Sequence, residues 1–161
     1  LNNALSAGKV KEAVLDVWEE EPDINKELLH KVWIGTPHVA GYSLDGKANG
    51  TKMSVQAVND FFKLGLDDSS PLVLPVPTDP DIKINSDKHE VTKDLCKSIL
   101  KTYDVRTDHE QLLNQPGAFE KLRGNYPFRR EFEAYNIYIP TCMMKDNEVF
   151  RKMGFNVFEI K

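Results

Sequence analysis

Cysteine is scarce in this chain: only Cys96 and Cys142 occur. Two thiols so far apart support neither a disulfide framework nor a zinc knuckle, and the expectation is a pair of reduced side chains. Long apolar runs are missing too. None approaches the roughly 20 residues that cross a bilayer, and no signal-peptide pattern opens the chain, so no membrane partner is expected. Positive charge is not in excess. A formal net charge of -4 argues against a nucleic-acid partner, which needs broad phosphate neutralisation. Also absent is a Gly-x-Gly-x-x-Gly turn after a strand, the usual cradle for a dinucleotide pyrophosphate. There is no internal repeat and no low-complexity tract. The first residue is Leu, and LNNALSAG reads as the middle of a helix, so the natural N-terminus is expected to be missing.

What remains is an ordinary globular composition, 161 residues with 40% apolar and 29% charged. Residues 3–8 read as a helix stopped by Gly8. Glu12 to Val17 (EAVLDV) is a short apolar run typical of a buried parallel strand. An acidic loop, Glu19 to Asp23, follows, broken by Pro22. Asn25 can cap a helix over Lys26 to His30, and VWIGTPH is a second strand running into a loop. Two strands with a helix between them predict the tail of a doubly wound, Rossmann-like parallel sheet over 1–42. Ser43 caps a long connecting helix over 43–65. Leu44, Ala48, Thr51, Val55, Val58 and Phe62 form its apolar stripe, and Gly65 is expected at C′. A proline-rich linker occupies 66–80. From 81 to 161 the pattern predicts a small α+β domain: strand, helix, helical hairpin, strand, helix, strand. Its first helix is capped by Ser86 or Asp87, and Val91, Leu95 and Ile99 share one of its faces. The hairpin starts again at Pro116, with Phe119 and Leu122 inward. At about this size a domain benefits from a partner subunit.

The chemistry is concentrated between Leu15 and Tyr42, in LDVWEEEPD and GTPHVAGY. Oxidising a secondary alcohol needs a base for the hydroxyl proton, and histidine's ordinary pKa lies near working pH. A carboxylate on the other ring nitrogen fixes the tautomer. Glu21 and His38 both sit in loops directly after expected parallel strands, which line the ligand crevice in open α/β sheets. A Glu21–His38 dyad is therefore permitted. Each signal alone is weak. A lone loop histidine is more often a surface residue, EEEP is more often a solvated turn, and Asp16 could merely bond nearby backbone.

Taken together, LDVWEEEP followed by TPHVAGY resembles the signature of the D-2-hydroxyacid dehydrogenases. That resemblance implies NAD as cofactor, Glu21 and His38 as the catalytic pair, and Asp16 on the nicotinamide carboxamide. It also implies Gly41 against the cofactor and Tyr42 against substrate, with no metal. The stretches GYSLDGKANGT, YDVRTD, FEKLRGNYPFRREF and FRKMGFNVF resemble the subfamily with an extra C-terminal domain. The implied activity there is oxidation of 4-phospho-D-erythronate to 3-hydroxy-2-oxo-4-phosphobutanoate, on the cytoplasmic route to pyridoxal phosphate. The implied partner is a second copy, bound through residues 81–161. The remaining cofactor elements, and the arginine that grips the substrate carboxylate, are expected upstream, so the chain alone is expected to be inactive.

Two alternatives stay open. One is another dehydrogenase of the family, such as a phosphoglycerate dehydrogenase with a regulatory domain. Its expected glycine-bearing loop is replaced here by INSDKHE. The other is that the isolated chain is only a dimerisation module. The basic cluster Lys121, Arg123, Arg129 and Arg130 also has two readings. It is either a solvated face paired with Glu120, Glu131 and Glu133, or a source of an arginine for the substrate's carboxylate or phosphate.

Overall fold

Three polar side chains decide where helices begin. A computed structural model describes residues 1–67, 73–84, 90–142 and 147–160. After helix α1 (Asn2–Ser6) and strand β1 (Val14–Leu15), Asn25 accepts the Leu28 N–H and opens helix α2 (Lys26–Leu29). Ser43 accepts the Gly46 N–H and opens helix α3 (Leu44–Phe62), which follows strand β2 (Ile34–Gly35). Asp104 accepts the Arg106 N–H at the start of helix α5 (Val105–Asn114), which follows strand β3 (Asp81–Lys83) and helix α4 (Val91–Thr102). Pro116 starts a short 3-10 turn leading into helix α6 (Phe119–Gly124). Strand β4 (Asn136–Pro140), helix α7 (Asn147–Lys152) and strand β5 (Asn156–Ile160) complete the order. The expected caps Ser86 and Asp87 lie outside the described residues.

The chain forms two compact units, and neither is one continuous stretch. The first comprises residues 1–40 and 104–127, the second 41–103 and 128–161. The sequence places its division at the proline-rich segment; the packing divides elsewhere. The reason lies in the helical hairpin. Leu112 and Phe119 are fully buried with Trp18, Ile24, Leu29 and Val32, and Leu113 and Leu122 pack beside them. Burying each large apolar side chain is worth about 1.5–3 kcal/mol, so these contacts hold α5 and α6 in the first unit. The apolar spacing of the hairpin correctly marks which face is buried but carries no record of the surface that buries it.

In the first unit β1 and β2 pair in parallel, Val14 opposite Ile34 and Leu15 opposite Gly35. Both strands are shorter than the apolar runs that announced them. Past β2 a side chain takes over: His109 Nδ1 accepts the Gly35 N–H at 2.9 Å. Gly35 is needed here for space. A Cβ at this position would lie 2.7 Å from Trp18 Cζ2 and 2.9 Å from Leu29 Cδ1.

In the second unit the sheet runs β3–β4–β5, all parallel, with Ile82, Ile137 and Val157 in register. The expected α+β domain is therefore an α/β arrangement, because each return to the strand start is made through helices. Ile82, Ile84, Ile137, Ile139, Phe150, Phe155 and Val157 form its core, with Val91, Leu95 and Ile99, the expected shared face of α4, packed against it. Helix α3 forms behind Ser43 as expected, with its apolar stripe open. None of its residues is buried, and Val55, Val58 and Phe62 of its apolar stripe are about half exposed or more. Its end differs: Lys63 takes the left-handed C-cap position at φ 53°, Gly65 follows at φ 68°, and the Asn59 side chain bonds the backbone of Leu66 across the turn.

Candidate functional site

Two loops leave the carboxyl ends of β1 and β2 and are laced together by polar contacts. The Thr36 N–H donates to the Leu15 carbonyl at 2.9 Å. The Thr36 hydroxyl donates to Asp16 Oδ1 at 2.6 Å, and the same carboxylate accepts the N–H groups of Val39 at 2.7 Å and Ala40 at 3.0 Å. From the other side, the buried Trp18 indole donates to the Thr36 carbonyl at 2.9 Å. Burial pushes the Asp16 carboxyl up, but the Thr36 hydroxyl, the two N–H groups and the nearby His38 together hold it below its ordinary value.

This lacing delivers Glu21 and His38 to one place. His38 Nδ1 lies 2.8 Å from Glu21 Oε2, and the Trp18 N–H donates to Glu21 Oε1 at 2.8 Å. Burial pushes the Glu21 carboxyl up; the His38 and Trp18 hydrogen bonds and the charges of His38 and Arg123 outweigh it, so the carboxyl stays below its ordinary value. An ionised Glu21 accepts a hydrogen bond from the Nδ1–H and leaves Nε2 as the basic ring nitrogen. The His38 side chain is 39% exposed against 18% for Glu21, so the carboxylate is the sheltered member and the imidazole the accessible one. The backbone here is unusual: Glu20 and His38 adopt φ 61° and 56°, and the Glu21–Pro22 peptide is cis. A left-handed conformation costs a non-glycine residue on the order of 1 kcal/mol.

The site residues named from the sequence thus fall in two groups. Asp16, Glu21 and His38 are brought together in the first unit, whereas Gly41 and Tyr42 belong to the second. Gly41 has φ 76°, and the Lys47 ammonium lies 4.6 Å above the centre of the Tyr42 ring. Asp16 Oδ2 accepts a single N–H, which leaves it a lone pair for a carboxamide donor; in that respect the residues present fit the nicotinamide end of a dinucleotide.

Thr36, Trp18, His109 and Arg123 also build this site and were not singled out as members from the sequence. Thr36 sits inside the TPH motif, where a hydroxyl next to a strand end is a usable signal. Arg123 gives no local signal, because its contact with the His38 carbonyl spans 85 residues. The basic cluster separates. Lys121 and Arg123 lie in the first unit, with Arg123 Nη1 3.2 Å from Glu120 Oε1. Arg129 and Arg130 lie in the second and are mostly buried, not a solvated face. Arg129 pairs with Glu131 at 3.3 Å; Arg130 pairs with Asp45 at 2.9 Å, a partner the sequence reading did not include. Both line a cavity of about 620 Å³ with Lys101, Thr102 and Tyr135. Among the described residues no helix is long and apolar enough to cross a membrane.

Comparison with known proteins adds a second line of observation. The family model described as "Domain of unknown function (DUF3410)" matches residues 73–154. A Bacteroides thetaiotaomicron protein named erythronate-4-phosphate dehydrogenase is 47% identical over 137 residues, covering 85% of this chain and 36% of the relative. Proteins of the same name from Proteus mirabilis and Escherichia coli are 42% and 39% identical, each over 97% of this chain and 41% of the relative. The chain therefore spans roughly two fifths of the length of these relatives.

Proposed function

The chain belongs to the DUF3410 family, and from that premise we propose that it is part of an NAD-dependent erythronate-4-phosphate dehydrogenase, a D-2-hydroxyacid dehydrogenase. The observation that carries this reading is the 2.8 Å contact between His38 Nδ1 and Glu21 Oε2 at the ends of two parallel strands. The shared name of relatives matched over nearly the whole chain supports the substrate class.

In this reading His38 Nε2 takes the proton from the C2 hydroxyl of 4-phospho-D-erythronate. Glu21, already ionised, stabilises the imidazolium that results and keeps the ring from rotating out of line. NAD, when bound, supplies the acceptor for the hydride that leaves C2, and the product is 3-hydroxy-2-oxo-4-phosphobutanoate. Asp16 has its carboxylate fixed by Thr36, Val39 and Ala40 and would hold the nicotinamide carboxamide. Gly41 lies against the cofactor and Tyr42 against substrate. The route served is pyridoxal phosphate synthesis, and two exposed free thiols accord with a reducing, cytoplasmic setting. A homodimer formed through residues 81–161 belongs to the same proposal.

The test is a substrate comparison in the whole enzyme. With NAD present, kcat/KM for 4-phospho-D-erythronate is expected to exceed that for 3-phosphoglycerate by at least about 10³-fold, the discrimination available to a site that must bond the substrate's additional polar groups. Equal values, or a preference for 3-phosphoglycerate, would move the chain to another branch of the family.

A further inference from the structure

Arg123 enters the site from a distant part of the sequence and has no role in the proton transfer just described. Its Nε donates to the His38 backbone carbonyl at 3.3 Å, and its side chain is 24% exposed. That carbonyl belongs to a residue held at φ 56°, so its orientation and that of the attached imidazole are set by what grips the peptide. The guanidinium is anchored in turn: Nη1 lies 3.2 Å from Glu120 Oε1, and the group sits 6.0 Å from the centre of the buried Phe119 ring. Its charge also acts on Glu21. Among the described residues, charged groups acting on the dyad include Asp16, Arg123 and, paired to Arg123, Glu120.

Resting on the dyad reading above, we propose that Arg123 is a positioning residue for proton transfer: it clamps the His38 peptide and places a fixed positive charge beside the Glu21 carboxylate. One cation then does two things. It holds the imidazole in line, where a displacement of about 1 Å costs up to roughly 10²-fold in rate. It also favours the ionised Glu21 carboxylate, the form that stabilises a developing imidazolium. The α5–α6 hairpin, which looks like structural filling in the sequence, becomes a support for the catalytic loop.

The experiment uses the full-length enzyme carrying Arg123→Gln, Arg123→Lys or, as a control, His38→Gln. Arg123→Gln keeps a donor but removes the charge. It is expected to lower kcat for oxidation by about 10–100-fold with both KM values within about twofold. The acid limb of the kcat/KM profile, which reports the dyad as a pair, is expected to move to higher pH. Arg123→Lys, with the charge restored, is expected to recover most of the rate and return the limb toward its starting position. An Arg123→Gln enzyme with unchanged kcat and pH profile would overturn the proposal. So would a loss of rate that tracks a lower Tm while the acid limb stays in place, since that marks a purely structural role. A His38→Gln enzyme that retains activity would instead overturn the dyad itself, which separates the two failures.

Discussion

Asp45 shows how much one carboxylate can organise. It accepts Arg130 Nε and Nη2, both at 2.9 Å, and the Glu131 N–H at 2.8 Å, with its side chain only 15% exposed. The Arg130 guanidinium, against the cost of partial burial, holds its carboxyl below the ordinary 3.8. A folded-state pKa below the unfolded one means stability that is fully present above the ordinary aspartate range and lost as pH falls through the folded value. Asp45→Asn should therefore cost about 1–3 kcal/mol near neutrality, the range for hydrogen bonds to charged groups in a sheltered pair. The gap between parent and variant should shrink below pH 3.8. Urea unfolding at pH 7 and at pH 3 measures both quantities; a gap that persists or widens in acid contradicts the assignment. Asp16 and Glu21 share the sign of this linkage, so acid should also loosen the loops that carry them. None of this was visible for Asp45 in the sequence, where it reads as one acidic residue in the first turn of a helix. Its partner lies 85 residues on.

Helices and strands were legible to different degrees, for physical reasons. Asn25 and Ser43 announce helices because a side-chain oxygen at the cap satisfies the backbone N–H three residues on, and both do so. The strands β1 and β2 were overdrawn because an apolar run fixes neither pairing nor burial: the ladder extends over only two residues of each, and Val14, Val17 and Trp33 are 60%, 62% and 65% exposed. The spacing announces an apolar stripe on α3, and Val55 and Val58 of that stripe are 47% and 50% exposed. Periodicity shows that a helix has an apolar face, not what covers it. These readings separate in one pair of variants. Gly35→Ala forces a Cβ into Trp18 and Leu29 and is expected to destabilise by about 1–3 kcal/mol, typical of overpacking. Val58→Thr on the open face of α3 is expected to stay within about 0.5 kcal/mol of the parent. Chemical denaturation of the two variants checks this, and a Gly35→Ala protein as stable as Val58→Thr would show that the β2–Trp18 packing is not as tight as described.

For the molecule as a whole, the motif pair around Glu21 and His38 was readable because both members lie close to strand ends that their own neighbours define. The assembly of the site was not. Thr36, Trp18, His109 and Arg123 act through contacts 18 to 85 residues apart, and the hairpin at 104–127 joins the unit formed by residues 1–40 through apolar surface that any partner could have supplied. The division into units follows burial, and burial is a property of the folded chain. What gives the molecule its proposed function is therefore small and local: a sheltered carboxylate and an accessible imidazole held 2.8 Å apart. The most direct measurement of that idea is the single-turnover rate of 4-phospho-D-erythronate oxidation by full-length enzyme carrying His38→Gln or Glu21→Gln. The account predicts a loss of about 10²–10⁴-fold for His38→Gln and a smaller loss for Glu21→Gln, with substrate binding little changed. A His38→Gln enzyme that reduces NAD at the parental rate would contradict it.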